Sequence, residues 1–288
     1  MIFRGVATAL ITPFINDKID AVGFEKLLDY QLASGVDAVV VLGTTGEPAT
    51  MSQDEKEQVI SIAVNKLKGK IPVIVGAGSN STAAAVKSCE LAEKLGADGL
   101  LVVTPYYNKC TQTGLIRHYS EIAAATALPI ICYNVPSRTG VNMLPSTFSR
   151  LADIPNIVGI KEASGNMEQI TEYIRLSSDR AAVYSGDDSL SIPTMAMGGA
   201  GVISVASNVC AEYVTAMTRA FDNGDLQKAS NMQRDMLPLV RALFSEVNPI
   251  PVKYAAHLKG FCDGSLRLPL TQISEGNARV LKNLLQEF

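Results

Sequence analysis

The feature that most constrains this chain is a short apolar segment that recurs eight times, each time followed by a segment with helical character. The pattern predicts strands at 6–14, 38–43, 72–78, 99–107, 129–136, 157–164, 182–189 and 201–207. Several of these segments, such as AVVVLG and PVIVGAG, are continuously apolar. Such runs are typical of a parallel sheet whose strands are buried on both faces by helices.

The intervening segments carry helix signals. Ser52 and Glu55 have the spacing of a capping box, and a further helix is predicted to open at Asn80 and to close at Gly96. Strand followed by helix, eight times within about 210 residues, predicts an α/β fold of the (β/α)8 TIM-barrel class. A doubly wound open sheet is the alternative, but six parallel strands are more usual there.

The alternation ends after the eighth strand. The remaining sequence predicts helices at 211–224, 226–246 and 249–260. Because a minimal barrel needs about 250 residues, the 288-residue chain has sequence to spare. We therefore expect a barrel domain at 1–224 and a C-terminal helical region at 225–288 that packs against it.

Charge and composition exclude several functions. The formal net charge of −3, without a clustered basic stripe, argues against a nucleic-acid partner. Five scattered cysteines without a CxxC pair predict reduced thiols in a cytoplasmic protein. No apolar run approaches the length of a membrane span, and the N-terminus is more typical of a strand than of a signal peptide.

The same counts argue against a metal or phosphate site. Two histidines cannot form a multi-histidine metal site, and Asp187 and Asp188 lack a third carboxylate for magnesium. His118 is expected between helices or at the surface. The GGAG run at 198–201 precedes the eighth strand, so it lies at the wrong end of the barrel for a phosphate loop, and a helix stop explains it better.

In a (β/α)8 barrel the active site lies where the strands end, and Lys161 is the most informative residue there. It is the only lysine or arginine within the eight predicted strands. A buried amine is either paired or has a lowered pKa, which makes it a nucleophile suited to Schiff-base chemistry. The alternative is a structural ion pair with Glu162 or with a strand-seven aspartate, although Glu162 should face the opposite side of its strand.

Other polar residues follow neighbouring strands. Tyr133 could relay protons, or could be an ordinary buried tyrosine. Arg138 suits a substrate carboxylate, or could form a surface salt bridge. The GTTGE run at 43–47 offers backbone N–H groups and hydroxyls to a small carboxylate, or is an ordinary turn.

The order and spacing of these motifs resemble those of the dihydrodipicolinate synthase family, pyruvate-dependent class I aldolases that include N-acetylneuraminate lyase. The resemblance runs almost end to end, through GVATALITPF, GTTGE, TPYYN, YNVPSRTG, GIKEASG, SGDDS, GVISV and NPIPVKYA. It implies a cofactor-free lyase that condenses pyruvate with L-aspartate 4-semialdehyde in lysine and diaminopimelate biosynthesis. It also implies a homotetramer built as a dimer of dimers.

The resemblance further implies roles for individual residues. Lys161 would form the Schiff base with pyruvate, and Tyr133, Thr44 and Tyr107 would form a proton relay, Tyr107 entering from a partner subunit. Thr45 would hold the pyruvate carboxylate, with Gly186 and Ile203 nearby. Arg138 would bind the carboxylate of the semialdehyde, a feature that separates the synthases from neuraminate lyases.

The chain departs from the resemblance at the lysine-effector positions, which correspond to Pro48, Ala49, Gln53, Lys56, Asn80, Ala84 and Tyr106. Lysine-inhibited relatives typically have a glutamate where this chain has Ala84, and Lys56 adds a repelling charge. We therefore expect weak or absent feedback by lysine.

Two other functions stay open on the sequence alone. One is a neuraminate lyase-like pyruvate aldolase and the other is a non-catalytic keto-acid sensor. Arg138 argues against the first, and the presence of both Lys161 and Tyr133 argues against the second. Whether Asn248 or Glu246 contacts the site is not decided by the sequence.

Overall fold

The eight predicted strands are present, and in the computed structural model they are parallel and close into a barrel in which the first strand pairs with both the second and the eighth. The TIM-barrel prediction is confirmed. The structure describes residues 1–288, except for the side chain of residue 178. The strands are β1 Gly5–Ala9, β2 Ala38–Val41, β3 Val73–Gly76, β4 Gly99–Val103, β5 Ile130–Asn134, β6 Ile157–Glu162, β7 Ala182–Ser185 and β8 Gly201–Ser204.

The strands are shorter than the apolar runs that predicted them, because several runs continue into loops. The first predicted strand, 6–14, ends at Ala9, and its last residue begins a small hairpin of Phe14–Ile15 with Lys18–Ile19. The fourth, 99–107, ends at Val103. Both Tyr106 and Tyr107 therefore lie in the loop that follows.

A close backbone contact closes the barrel where β1 meets β8. A Cβ atom on Gly201 would lie 1.9 Å from the carbonyl oxygen of Gly5, and Gly201 has a φ of +143°. Only glycine avoids both the clash and the strain. The GGAG run thus ends at the start of β8, among the amino ends of the strands and at the opposite end of the barrel from Lys161.

Helices cover the barrel and form the C-terminal region. They are α1 Ala21–Ala33, α2 Gln53–Leu67, α3 Thr82–Lys94, α4 Gln112–Ala124, α5 Pro136–Thr139, α6 Pro145–Leu151, α7 Met167–Ser177, α8 Ser191–Ala196, α9 Ser207–Asp222, α10 Leu226–Leu243, α11 Ile250–Leu258 and α12 Glu275–Leu284. The three predicted C-terminal helices correspond to α9, α10 and α11, and α12 was not resolved as a separate helix by the sequence pattern. None of these helices, in the described part of the chain, is long and apolar enough to cross a membrane.

The helix caps agree with the sequence pattern at α2 and differ at α3. The Ser52 Oγ accepts from the Glu55 N–H at 3.3 Å, and the Glu55 carboxylate accepts from the Ser52 N–H at 2.9 Å. The prediction that α3 opens at Asn80 is wrong by one residue. Its cap is Ser81, whose hydroxyl accepts from the Ala84 N–H, whereas the Asn80 carbonyl accepts from Asn108.

The apolar core has two parts. A large layer lies between the strands and the surrounding helices, and a smaller one fills the barrel interior. The C-terminal region shares the outer layer through buried residues such as Leu239 and Leu281. Gln233 of α10 also bonds the barrel, accepting from the Ile192 N–H and donating to the Asp188 carbonyl, each at 3.0 Å. The division of the chain at residue 224 stays a prediction.

Candidate active site

Lys161 and Tyr133 lie side by side at the carboxyl ends of their strands. They are register partners on β6 and β5, and the Lys161 Nζ is 4.5 Å from the centroid of the Tyr133 ring. Lys161 is only 5% exposed. No ion pair to its amine is found among the described side chains. The structural ion pair considered from the sequence is therefore not formed, and the aromatic face is the cation's neighbour.

Two of the three acidic alternatives, Glu162 and Asp188, are engaged elsewhere, and the third, Asp187, forms no ion pair with Lys161. Glu162 faces away from Lys161, as the alternation of a strand requires, and accepts from Asn134 at 2.8 Å and from the Ser164 N–H at 2.9 Å. Asp188 is buried and accepts from the Ser204 hydroxyl at 2.5 Å and from the Val205 N–H at 2.9 Å. Burial raises the pKa of both carboxyl groups. Asp188 thus ties the end of β7 to the end of β8.

Gly186 leaves room for the Lys161 side chain. A Cβ atom at position 186 would lie 2.7 Å from the Ala163 Cβ and 3.0 Å from the Lys161 Cε. Any side chain here would displace the lysine stem. The glycine that the resemblance places near pyruvate therefore has a steric reason to be there.

A cavity of about 500 Å³ opens above Lys161. Of the residues predicted for catalysis or substrate binding, six line this cavity: Thr44, Thr45, Tyr133, Arg138, Lys161 and Gly186. Ile203 is fully buried beneath it, in the same interior apolar layer as Tyr133. The cavity is large enough for two small keto or aldehyde compounds.

Asn248 links the two groups expected to bind carboxylates. Its side-chain Nδ2 donates to the Thr45 Oγ1 at 3.0 Å, and its backbone carbonyl oxygen accepts from the Arg138 Nη2 at 3.2 Å. Because Thr45 accepts this bond, its hydroxyl proton is left to donate to an anion. Asn248 is thus a positioning residue whose contact the sequence left undecided, 203 residues away from Thr45.

A buried ion pair supports the turn that carries Thr44 and Thr45. Glu47 has a φ of +56°, and its Oε1 is 2.5 Å from the Nζ of Lys253, with both side chains at most 1% exposed. The Lys253 ammonium also lies 4.0 Å from the Phe14 ring centroid. Burial lowers the pKa of Lys253, and the Glu47 charge opposes that effect.

Tyr107 does not line the cavity. It is 89% exposed and has a φ of +70°, which is unusual for a tyrosine. Of the four predicted catalytic residues, it is the one that the single chain does not bring to the site. A loop that holds an aromatic ring in solvent at this position is consistent with a role outside its own chain.

A second cavity of about 750 Å³ adjoins the first and shares Thr44, Tyr133 and Arg138 with it. Its wall includes six of the seven predicted effector positions: Pro48, Ala49, Gln53, Lys56, Ala84 and Tyr106. Asn80 is the exception. Glu47 is the one carboxylate among the described residues that line it, and Lys253 neutralises that charge.

Glu246, which the sequence left undecided, and His118, which it placed between helices or at the surface, both lie outside the cavity. The Glu246 carboxylate accepts from the Ser274 N–H, the Ser274 hydroxyl and Asn277, so it braces α12. His118 is buried between α3 and α4, 2.9 Å from the Thr82 Oγ1, as its predicted interhelical position requires. Burial lowers the pKa of His118 to about 4.

Comparison with known proteins agrees with this geometry. The model of the dihydrodipicolinate synthetase family matches residues 2–288. The 4-hydroxy-tetrahydrodipicolinate synthase of Alkaliphilus oremlandii is 50% identical over 285 residues, which are 99% of this chain and 98% of that protein. The crystal structure of dihydrodipicolinate synthase from Thermotoga maritima superposes with a TM-score of 0.98 at 48% identity, covering 100% of this chain and 99% of the other. The enzyme from Aquifex aeolicus superposes with a TM-score of 0.97 at 43% identity, covering 99% of this chain and 98% of the other. The chain therefore belongs to the dihydrodipicolinate synthetase family.

Proposed function

We propose that this enzyme condenses pyruvate with L-aspartate 4-semialdehyde to 4-hydroxy-tetrahydrodipicolinate through a Schiff base on Lys161. The observation that carries the proposal is a buried lysine without a carboxylate partner among the described side chains, placed 4.5 Å from the Tyr133 ring at the end of a barrel strand. In its unprotonated form, the Lys161 amine is the nucleophile that attacks a carbonyl carbon.

The first half of the reaction builds an enamine. The Lys161 amine adds to C2 of pyruvate, and the loss of water gives an imine while Tyr133 donates and accepts protons. Thr45 and the GTTGE turn hold the pyruvate carboxylate, and Gly186 gives the adduct room. Removal of a methyl proton converts the imine to the enamine that carries the nucleophilic carbon.

The second half consumes the semialdehyde. The enamine attacks the aldehyde carbon while Arg138 holds the substrate carboxylate, and the aldehyde oxygen takes up a proton. The substrate's own amine then adds to C2 and displaces Lys161, which closes the ring and frees the enzyme. Because the imine itself stabilises the carbanion, the sequence of steps draws on no metal or organic cofactor.

The test of the mechanism is borohydride reduction in the presence of pyruvate, followed by peptide mass spectrometry. We expect a reduced pyruvate adduct on Lys161, none in Lys161→Arg, and an unchanged adduct in Lys259→Arg, which alters an exposed lysine of α11's C-terminus. Absence of the adduct in the unaltered enzyme would refute the Schiff-base mechanism. Comparing turnover of aspartate semialdehyde and N-acetylneuraminate then tests the second substrate.

We further propose that Tyr107 completes the Thr44–Tyr133 relay of a partner subunit, within a dimer that pairs into a homotetramer. The exposed ring and its left-handed backbone support this, because nothing in its own chain covers the ring. A two-fold dimer exchanges such residues reciprocally. The tetramer itself is tested by sedimentation over a range of protein concentrations.

Subunit mixing tests the exchange of Tyr107. Tyr107→Phe and Lys161→Ala should each be nearly inactive alone. A hybrid dimer of the two keeps one complete site, so an equal mixture after exchange should recover about a quarter of the unaltered activity. No recovery in a mixture that demonstrably forms hybrids would place Tyr107 in its own chain's site.

The cellular location follows as part of the same proposal. All five cysteines are free, four of them buried, which suits a reducing compartment. We propose that the enzyme works in the cytoplasm.

A further inference from the structure

Asp187 is a charged group that the mechanism above does not use. It follows β7 directly after Gly186 and lines the cavity above Lys161. Its Oδ1 accepts from the Ser189 N–H at 2.9 Å and from the Ser189 hydroxyl at 2.7 Å. These two bonds fix the carboxylate and leave its second oxygen without a hydrogen-bond partner among the described residues.

The charges on the cavity wall are uneven. Among the described lining residues, Lys161, Arg138 and Arg241 are basic and Asp187 is the one carboxylate. None of these three basic side chains lies within 4.0 Å of the Asp187 carboxylate as an ion pair. The free oxygen of this fixed carboxylate can accept a charge-assisted hydrogen bond from a positively charged group of a bound ligand.

The second substrate of the proposed reaction brings such a cation. Aspartate semialdehyde carries an ammonium group and a carboxylate on the same carbon, and Arg138 accounts for the carboxylate alone. Placing an ammonium in a half-enclosed cavity without an acceptor is costly. The Nδ2 of Asn248 donates to Thr45, and its Oδ1, which is buried without a hydrogen-bond partner among the described residues, is an uncharged acceptor. Asp187 is the one charged acceptor among the described residues that line the cavity.

We propose that Asp187 is a specificity-determining residue that binds the ammonium group of the semialdehyde and selects for 2-amino aldehydes over aldehydes without the amine. The inference rests on the proposed function. Ser189 is a positioning residue, because it holds one carboxylate oxygen and leaves the other for the substrate. Asp187 then binds the ammonium group and Arg138 the carboxylate of the substrate, while its aldehyde faces the enamine on Lys161.

The experiment compares two aldehydes that differ only in the amine. Steady-state kinetics give kcat/KM for aspartate semialdehyde, and inhibition of the same reaction gives the affinity for 4-oxobutanoate, which lacks the amine. The variants are Asp187→Asn and Asp187→Ala, with Ser189→Ala to loosen the carboxylate. Asp235→Asn on the exposed face of α10 is the control for loss of one negative charge. Thermal unfolding checks that each variant is folded.

We expect Asp187→Asn to lower kcat/KM for aspartate semialdehyde by about ten- to a hundredfold, the effect of losing a charge-assisted hydrogen bond. The affinity for 4-oxobutanoate and the KM for pyruvate should stay within about twofold. Ser189→Ala should fall between, and Asp235→Asn should match the unaltered enzyme. If Asp187→Asn lowers the affinity for 4-oxobutanoate by the same factor as kcat/KM for aspartate semialdehyde, the proposal is overturned.

A second readout separates this inference from the function on which it rests. Borohydride trapping of pyruvate on Lys161 should be as fast in Asp187→Asn as in the unaltered enzyme. Slower trapping, or a shift in its pH profile, would mean that Asp187 acts on Lys161 and would overturn ammonium recognition. Trapping that fails in the unaltered enzyme as well would overturn the proposed function first.

Discussion

Replacing Lys253 with methionine tests whether the buried ion pair supports the turn that carries Thr44 and Thr45. Methionine keeps the approximate length of the side chain, but removes the positive charge and with it the ammonium contact with the Phe14 ring. The Glu47 carboxylate is then left unpaired at 1% exposure. Only a weak backbone N–H contact from Arg267, at 3.4 Å, still faces it.

The magnitude follows from the burial of that carboxylate. Removing one partner of a buried ion pair costs about 3–5 kcal/mol. Because a chain of 288 residues unfolds with an entropy of about 0.6 kcal/mol/K, Tm should fall by about 5–8 °C. In the double variant Glu47→Gln/Lys253→Met no buried charge is left alone. We expect it to recover at least half of the lost stability.

The assay combines thermal unfolding with the KM for pyruvate, measured on both single variants, the double variant and Lys259→Met as the exposed control. KM should rise in the single variants, because the displaced Glu47 shifts the hydroxyls of the preceding turn. The reasoning would be refuted if Lys253→Met lowered the free energy of unfolding by less than about 1 kcal/mol. It would also be refuted if the double variant lost as much unfolding free energy as the two single variants together.

Three further predictions follow from the site and its surroundings. Millimolar lysine should leave the rate of the purified enzyme nearly unchanged, because position 84 is alanine and Lys56 repels a cation; strong inhibition would contradict this. His118 has a folded-state pKa of about 4, below its unfolded value near 6.5, so its contribution to stability is complete above pH 6.5 and lost as pH falls towards 4. Measured by chemical unfolding, the free energy of unfolding of the unaltered enzyme should therefore fall between about pH 7.5 and pH 5 by about 2 kcal/mol more than that of His118→Phe. An equal fall in both proteins would exclude this role of His118. Gly186→Ala should slow borohydride trapping of pyruvate on Lys161 by about a hundredfold, because the new methyl group displaces the lysine stem, and unchanged trapping would show that the stem can adapt.

The sequence predicted the parts of the fold that depend on local patterns. The eight strands could be found because barrel strands are buried on both sides and are therefore apolar throughout. The barrel rule then placed Tyr133 and Lys161 at the same end of neighbouring strands, as the register confirms. The cap of α3 lies one residue after the predicted one, because Asn80 and Ser81 are both good capping residues and local preference alone does not choose between them.

The contacts that position the site could not be predicted in the same way. Lys253 and Glu47 are 206 residues apart, and neither belongs to a periodic pattern that specifies its partner. The motif NPIPVKYA marked its segment as important without saying what it contacts. A pairing of this kind depends on how the C-terminal region folds back over the strand ends, which helix periodicity does not encode.

The position of Tyr107 shows a related limit. Sequence resemblance groups it with Thr44 and Tyr133, but the folded chain leaves its ring in solvent. A linear sequence does not distinguish a residue that completes its own site from one that completes a neighbour's. The difference arises only when two copies meet across a two-fold axis. If Tyr107 does act in the partner's site, catalysis is coupled to assembly, and activity should fall on dilution with the same midpoint as dimer dissociation.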